Sequence, residues 1–268
     1  LWSRRQLWDR NYSESRTTTV PAMILELLSH QNFADMKYGL DPSFRFTVSR
    51  AVYKGILKYL SDLYGTNYIV QPLPVNSMSV RLNGNKAVIS WNKTEDPKEP
   101  TADSKGFILY TRIDDGAFDQ GRILYDLRRE GDHFQTEVAM EPGHIYSFKL
   151  VAFNDGGKSF PSEILCAGLA GKSSKKVLVI NNFTRVGAPS WFDTPDYAGF
   201  DGKIDKGFAY CYEINYIGEN YENRRQAEWT DDDNPGFGAS GYESEGMIVA
   251  GNTFDYPLIH GAAIMNAG

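Results

Sequence analysis

At Gln71-Pro72-Leu73-Pro74 the spacing of apolar residues changes from three or four to two, and no single secondary structure accommodates both periods. Proline cannot continue a helix and pushes its predecessor out of helical geometry, so these four residues read as a stiff linker. Ahead of it, Phe44, Val48, Val52, Ile56, Leu60 and Leu63 recur three to four residues apart, one apolar stripe of an amphipathic helix. Asp41 and Pro42 supply that helix with a cap and a first-turn proline. Beyond the linker, Met78, Val80 and Leu82 alternate, Asn83-Gly84-Asn85 turns the chain, and Ala87, Ile89 and Trp91 alternate again. That pattern predicts a β-hairpin. Further short strands are predicted over 107–112, 134–138 and 145–154, separated by turn-rich segments as in a β-sandwich.

Within this all-β region, Tyr146-Ser-Phe148-Lys-Leu150-Val-Ala152-Phe-Asn154-Asp-Gly156-Gly-Lys-Ser159-Phe-Pro161-Ser162 resembles the penultimate strand and following turn of fibronectin type III domains. With Trp91 on the second strand and Tyr110 on the third, the resemblance covers residues 72–168 and implies an immunoglobulin-like sandwich.

The flanks carry a different signature. Val20-Pro-Ala-Met-Ile-Leu-Glu-Leu27 is an apolar run interrupted only by Glu26, the pattern of a buried strand. With the loop and helix behind it, it predicts a βα unit ending an α/β domain over 1–70. Lys175-Lys-Val177-Leu-Val-Ile180-Asn-Asn182 restarts that pattern, Met247-Ile-Val-Ala-Gly251 is a second buried-strand candidate, and 257–266 reads as a helix. Residues 173–268 are therefore expected to begin a second α/β domain. The predicted fold class is multidomain α/β plus all-β, a central sandwich flanked by partial α/β segments. The chain opens at Leu1 in what reads as the middle of a polar segment and stops at Gly268 within an unfinished pattern, so it is expected to be a fragment. Its 268 residues exceed the common domain size of about 100–150.

Charge limits the partners. A net charge of −6 with pI near 5.3 and no basic stripe argues against nucleic acid, whose phosphates need a concentrated basic face. No apolar run reaches the roughly 18 residues of a membrane span, so no transmembrane segment is expected. Cys166 and Cys211 stand in different segments, which indicates neither a disulfide framework nor a zinc cluster. Asp231, Asp232 and Asp233, with Glu228 before them, read as a solvated loop, a calcium site being the alternative.

Glu26 is the candidate for chemistry, because a carboxylate in a buried apolar strand is costly unless a cation, a metal-bound water or hydrogen-bond donors stabilise it. The alternatives are a Glu26 already solvated at the sheet's rim, or one paired with Arg16. Residues 14–65, with Val20–Leu27, then Asn32, Asp35, Ala51, Gly55 and Ile56, resemble the end of the zinc-dependent N-acetylmuramoyl-L-alanine amidases. The resemblance implies that Glu26 is the catalytic carboxylate acting on a zinc-bound water, with His30 and Asn32 along the substrate rim. It also implies that the zinc ligands lie upstream of Leu1, so zinc belongs to the full-length protein and none is expected in this fragment. Of the four histidines, His30, His133, His144 and His260, each taken singly reads as structural or exposed.

The complete order, amidase-like end, sandwich and second α/β start, resembles large secreted proteins of Bacteroidetes labelled xanthan lyases. It implies a secreted, periplasmic or cell-surface location and a peptidoglycan or polysaccharide substrate. The Tyr or His base and neutralising Asn or Arg that a lyase needs do not assemble from these residues. Trp191, Trp229 and Phe237 in loop-like sequence are candidate sugar-stacking residues, against packing within an irregular loop layer. Tyr216, Tyr221 and Tyr242 read as packing. Arg185, just after a predicted parallel strand, is a candidate anion contact. The expected function is part of a zinc amidase-like hydrolase, inactive as this chain alone. The alternatives are a polysaccharide lyase and a non-catalytic glycan-binding or adhesion module.

Overall fold

A computed structural model of the chain describes residues 7–29, 31–125, 127–131, 133–170, 176–181, 188–201, 204, 221–224 and 256–267. After a single helical turn α1 (Ser13–Arg16) come α2 (Phe33–Gly39) and α3 (Pro42–Tyr64). The sandwich follows as β1 (Asn76–Asn83), β2 (Lys86–Asn92), β3 (Gly106–Ile113), β4 (Arg122–Ile123), β5 (Arg128–Glu130), β6 (His133–Ala139), β7 (Ile145–Asn154), β8 (Gly157–Lys158) and β9 (Leu165–Gly168). A small sheet of β10 (Trp191–Asp193), β11 (Tyr197–Phe200) and β12 (Tyr221–Arg224), then α4 (Tyr256–Asn266), complete the described elements.

Two antiparallel sheets face each other. One has the order β1-β2-β6-β5; the other has β4-β3-β7-β8, with β9 also pairing with β7. The expected hairpin is β1–β2, in register from Asn83↔Lys86 to Ser79↔Ser90. Its two-residue loop starts at Gly84 with φ 58°, a left-handed value that a side chain would strain and that a II′ turn needs first. Alternation sends Ala87, Ile89 and Trp91 inward to meet Phe107, Leu109, Phe134, Phe148 and Leu150. Trp91 sits edge-on to Phe107 at 5.3 Å and stacks on Phe134 at 6.0 Å. Burying each side chain of this size contributes about 1.5–3 kcal/mol, and Trp91, Phe148 and Leu150 are fully buried.

Tyr146, near the start of β7, places its hydroxyl to accept from the Glu141 N–H at 3.2 Å, the tyrosine corner of such sandwiches. Past β8 the chain follows β7 without a regular ladder, because Pro161 has no N–H to give. Serine hydroxyls substitute for carbonyls: Ser159 Oγ accepts from Ala152 N at 3.0 Å, and Ser162 Oγ accepts from Leu150 N at 2.9 Å. The Ser159 and Ser162 amides return bonds of 2.8 Å to the carbonyls of the same two residues. The second of the sequence's paired-serine positions thus hands the chain on to β9 in register.

Helix α3 has the expected termini. Asp41 accepts from Ser43 N at 2.8 Å, Pro42 occupies the first turn, and Gly65 closes the helix at φ 64°. Its orientation differs from the expectation. Val52, Ile56, Leu60 and Leu63, predicted to be buried, are 38–56% exposed. The face turned to the sandwich is the one bearing Arg50, Tyr53, Lys54, Leu57 and buried Ser61, spaced at the same helical interval. Polar contacts rather than apolar area decide which side docks.

Both predicted flanking strands are also absent. Residues 20–27 are irregular, with Val20, Met23, Ile24, Leu25 and Leu27 exposed. Residues 177–180 are likewise irregular and exposed. A strand exists only when its amides and carbonyls find a neighbouring strand, and among the described residues none pairs with either run. Helix α4 falls where a helix was predicted, and packs on β9 and the start of β7, with Met265 against Gly168 and Gly261 against Ile145. The candidate strand 247–251 lies outside the described residues.

Candidate functional site

Glu26 follows Leu25 in the irregular segment and is exposed. Among the described residues no hydrogen bond or ion pair reaches its carboxylate, the pairing with Arg16 included, and no strand or sheet rim surrounds it. Two residues on, Leu28 adopts φ 59°, strained for a branched side chain, and turns the chain toward α2. Asn32 serves that helix: its Oδ1 accepts from Asp35 N at 3.3 Å as an N-cap, while buried Asp35 accepts from Ser29 N at 2.9 Å. The Asn32 side chain is thereby committed to capping. His30 and Arg185 lie outside the described residues, and so do Trp229, Phe237, Tyr216, Tyr242 and Asp231 to Asp233.

Trp191 lies on β10, with Phe33 of α2 edge-on at 6.2 Å and Lys37 Nζ 3.4 Å above its ring centroid. Phe33 also meets Phe200, which is buried with Leu40. A cation over the ring occupies the face on which a sugar would stack, so the indole joins α2 to the small sheet.

His133 Nδ1 is 3.0 Å from Asn92 Oδ1 and His144 Nδ1 is 2.6 Å from Asp114 Oδ2. Among the described residues no three His, Cys, Asp or Glu side chains converge on a metal position. The described residues do not supply the donor set of the ion that the amidase resemblance implies.

The densest polar assembly lies where α3 meets the sandwich, and sequence reading missed it. Asp96, in the β2–β3 loop, accepts from Lys54 Nζ at 2.8 Å and Arg50 Nε at 3.1 Å through the same oxygen. The three side chains are only 10–21% exposed. Arg50 Nη2 also donates to the Gln71 carbonyl at 3.1 Å. Three residues beyond Asp96, Glu99 accepts from Tyr68 Oη at 2.8 Å and Thr101 Oγ1 at 2.7 Å. Burial pushes the Asp96 carboxyl up, but bonds from Lys54 and Arg50 and the Lys54 charge outweigh it and hold the group below 3.8. Glu99 is likewise raised by burial yet held below 4.5 by Thr101, Tyr68 and the Lys54 charge. Burial and the bond to Glu99 push the Tyr68 phenol up to about 12.

The linker is absorbed into this assembly. Val70 N donates to Thr101 Oγ1 at 3.2 Å and Gln71 N to Tyr53 Oη at 3.4 Å. Buried Asn154, at the end of β7, donates from Nδ2 to the carbonyls of Val70, Thr101 and Asp103 at 2.9–3.1 Å. The linker backbone approaches the β7–β8 turn so closely that a Cβ on Gly156 would collide with the Ile69 carbonyl oxygen. The legible signal was the second helical stripe, Arg50, Tyr53, Lys54 and Leu57, beside the apolar one.

The fold defines the class: a two-sheet, immunoglobulin-like β-sandwich with a tyrosine corner. No family model matches the chain, and no curated protein matches it. Among solved structures, a myokine structure is similar at 22% identity and TM-score 0.29, over 37% of this chain and 99% of that one. The fourth FNIII domain of a human protein is similar at 19% identity and TM-score 0.30, over 39% of this chain and 87% of that one. The FN1–FN3 domains of chicken CNTN1 are similar at 15% identity and TM-score 0.32, over 39% of this chain and 34% of that one. No described helix is long and apolar enough to cross a membrane.

Proposed function

We propose that this chain is a non-catalytic spacer segment of a secreted multidomain protein directed at the cell envelope or at polysaccharide. Its sandwich is of the fibronectin type III kind and follows α3 through a short proline-containing linker. One observation carries the reading: the sandwich is tied to α3 by a nearly buried charged assembly, while the one candidate catalytic carboxylate, Glu26, is exposed and has no partner among the described residues. A spacer needs a defined connection and no pocket.

A second reading, a zinc amidase-like hydrolase acting on peptidoglycan, is favoured by the exposed apolar run around Glu26. Five exposed apolar side chains between Val20 and Leu27 are unfavourable in water and suit a strand awaiting neighbours. Zinc in that reading is held by ligands other than the described residues. A polysaccharide lyase is the third reading, with unsaturated, ultraviolet-absorbing products. In the full-length protein supplied with zinc and incubated with peptidoglycan and with acidic polysaccharides, Glu26→Gln is expected to leave any amide cleavage unchanged and no ultraviolet absorbance is expected. Amide cleavage abolished in Glu26→Gln overturns the spacer reading for the amidase, and absorbance overturns it for the lyase.

A further inference from the structure

We propose that the Arg50–Lys54–Asp96 contact is a latch that makes α3 and the sandwich one rigid body, so that the proline linker is a fixed strut and not a hinge. This goes beyond the spacer reading, because it concerns how the two parts are coupled whatever chemistry either serves.

Adjoining domains joined by a short linker move relative to each other by default unless a substantial interface holds them. The interface here is small and polar, so its rigidity has to come from directional bonds. Four elements meet in it: α3 contributes Arg50, Tyr53 and Lys54; the linker contributes Tyr68, Val70 and Gln71; the β2–β3 loop contributes Asp96, Glu99 and Thr101; and the end of β7 contributes Asn154. Every link joins groups on different elements, so rotation of α3 about the linker breaks several at once. The linker's extended backbone has no ladder partner, and its amides at Val70 and Gln71 go to Thr101 and Tyr53. If α3 swung away, Asp96 would be left in its recess without a cation, and two cations would lose their shared counter-ion. Three charged side chains would then exchange their charge-assisted bonds for bonds to water in a single step. Phe46 of α3 against Phe160 at 6.1 Å adds a second, apolar point of attachment well along the helix from Lys54. Two separated contacts define an orientation where one would allow swivelling.

Residual dipolar couplings on the full chain test this, because they report whether α3 and the sandwich share one alignment. In the native protein both sets of amides are expected to fit a single tensor. In Asp96→Ala the α3 couplings are expected to shrink at least about twofold relative to those of β7, as an independently moving element averages its own. The Arg50→Met/Lys54→Met double variant changes only helix residues, retains helix-forming side chains and leaves the sandwich core untouched, so it gives the same reading if Asp96→Ala fails to fold. A reduced α3 tensor in the native chain, or one shared tensor in whichever variant folds, overturns the latch.

Discussion

His144 and Asp114 show how a single pair is set by its surroundings. Asp114 follows β3 with φ 50°, and its carboxylate accepts from Ile145 N at 3.0 Å and meets His144 Nδ1 at 2.6 Å. The Ile145 amide, and then His144, lower the Asp114 pKa, while the bond to Asp114 and its charge raise the His144 pKa above 6.5. A histidine raised on folding contributes stability that is fully present below 6.5 and lost as pH rises through the higher folded value. Both side chains are 43% exposed, so the contribution to stability is small and the titration itself is the useful readout. The His144 ring resonances are expected to titrate with a midpoint above 6.5 in the native chain, and to fall back toward it in Asp114→Asn. An unchanged midpoint in the variant removes the carboxylate as the cause. Glu26 shows the opposite lesson at this scale. Its sequence neighbours are apolar, yet neighbours along the chain do not bury a side chain; only packed elements do.

At the scale of elements, the paired serines after β8 are the clearest case of side chains completing a sheet. Ser159→Ala leaves the buried Ala152 amide without its acceptor, and an orphaned buried amide costs about 1–3 kcal/mol. Urea unfolding followed by far-ultraviolet circular dichroism is expected to show that loss as a lower midpoint with an unchanged slope, since the surface exposed on unfolding is the same. A midpoint within error of native means that another acceptor satisfies the Ala152 amide. Helix α3 teaches something different. Its two stripes offer two ways to dock, and most of the apolar one, which periodicity alone ranks first, is left facing water from Val52 to Leu63. Asp96, 46 residues from Arg50 in sequence, selects the other.

For the whole molecule, the charged assembly between α3 and the sandwich ties stability to acidity. Asp96 and Glu99 are held below 3.8 and 4.5, so the stability they contribute is fully present above those values and lost as pH falls through the lower folded ones. Arg50 and Lys54 face Asp96, and Tyr68 and Thr101 face Glu99. The urea midpoint of the native chain is therefore expected to fall between pH about 5 and pH about 3, and to fall less over the same interval in Asp96→Ala. Equal losses in the two proteins place the acid sensitivity elsewhere. The sequence by itself determined the sandwich and the start of α3: alternation around Asn83-Gly84-Asn85, the Tyr146 to Ser162 segment and Asp41-Pro42 each act over a few residues, where turn, cap and pleat geometry are local. Only the tertiary structure decided that 20–27 and 177–180 remain outside the described sheets, which face α3 presents, and that the chain entering the proline linker is bonded at Val70 and Gln71 to α3, the β2–β3 loop and the end of β7. Those outcomes depend on partners tens of residues away, whose distance and charge no local period records.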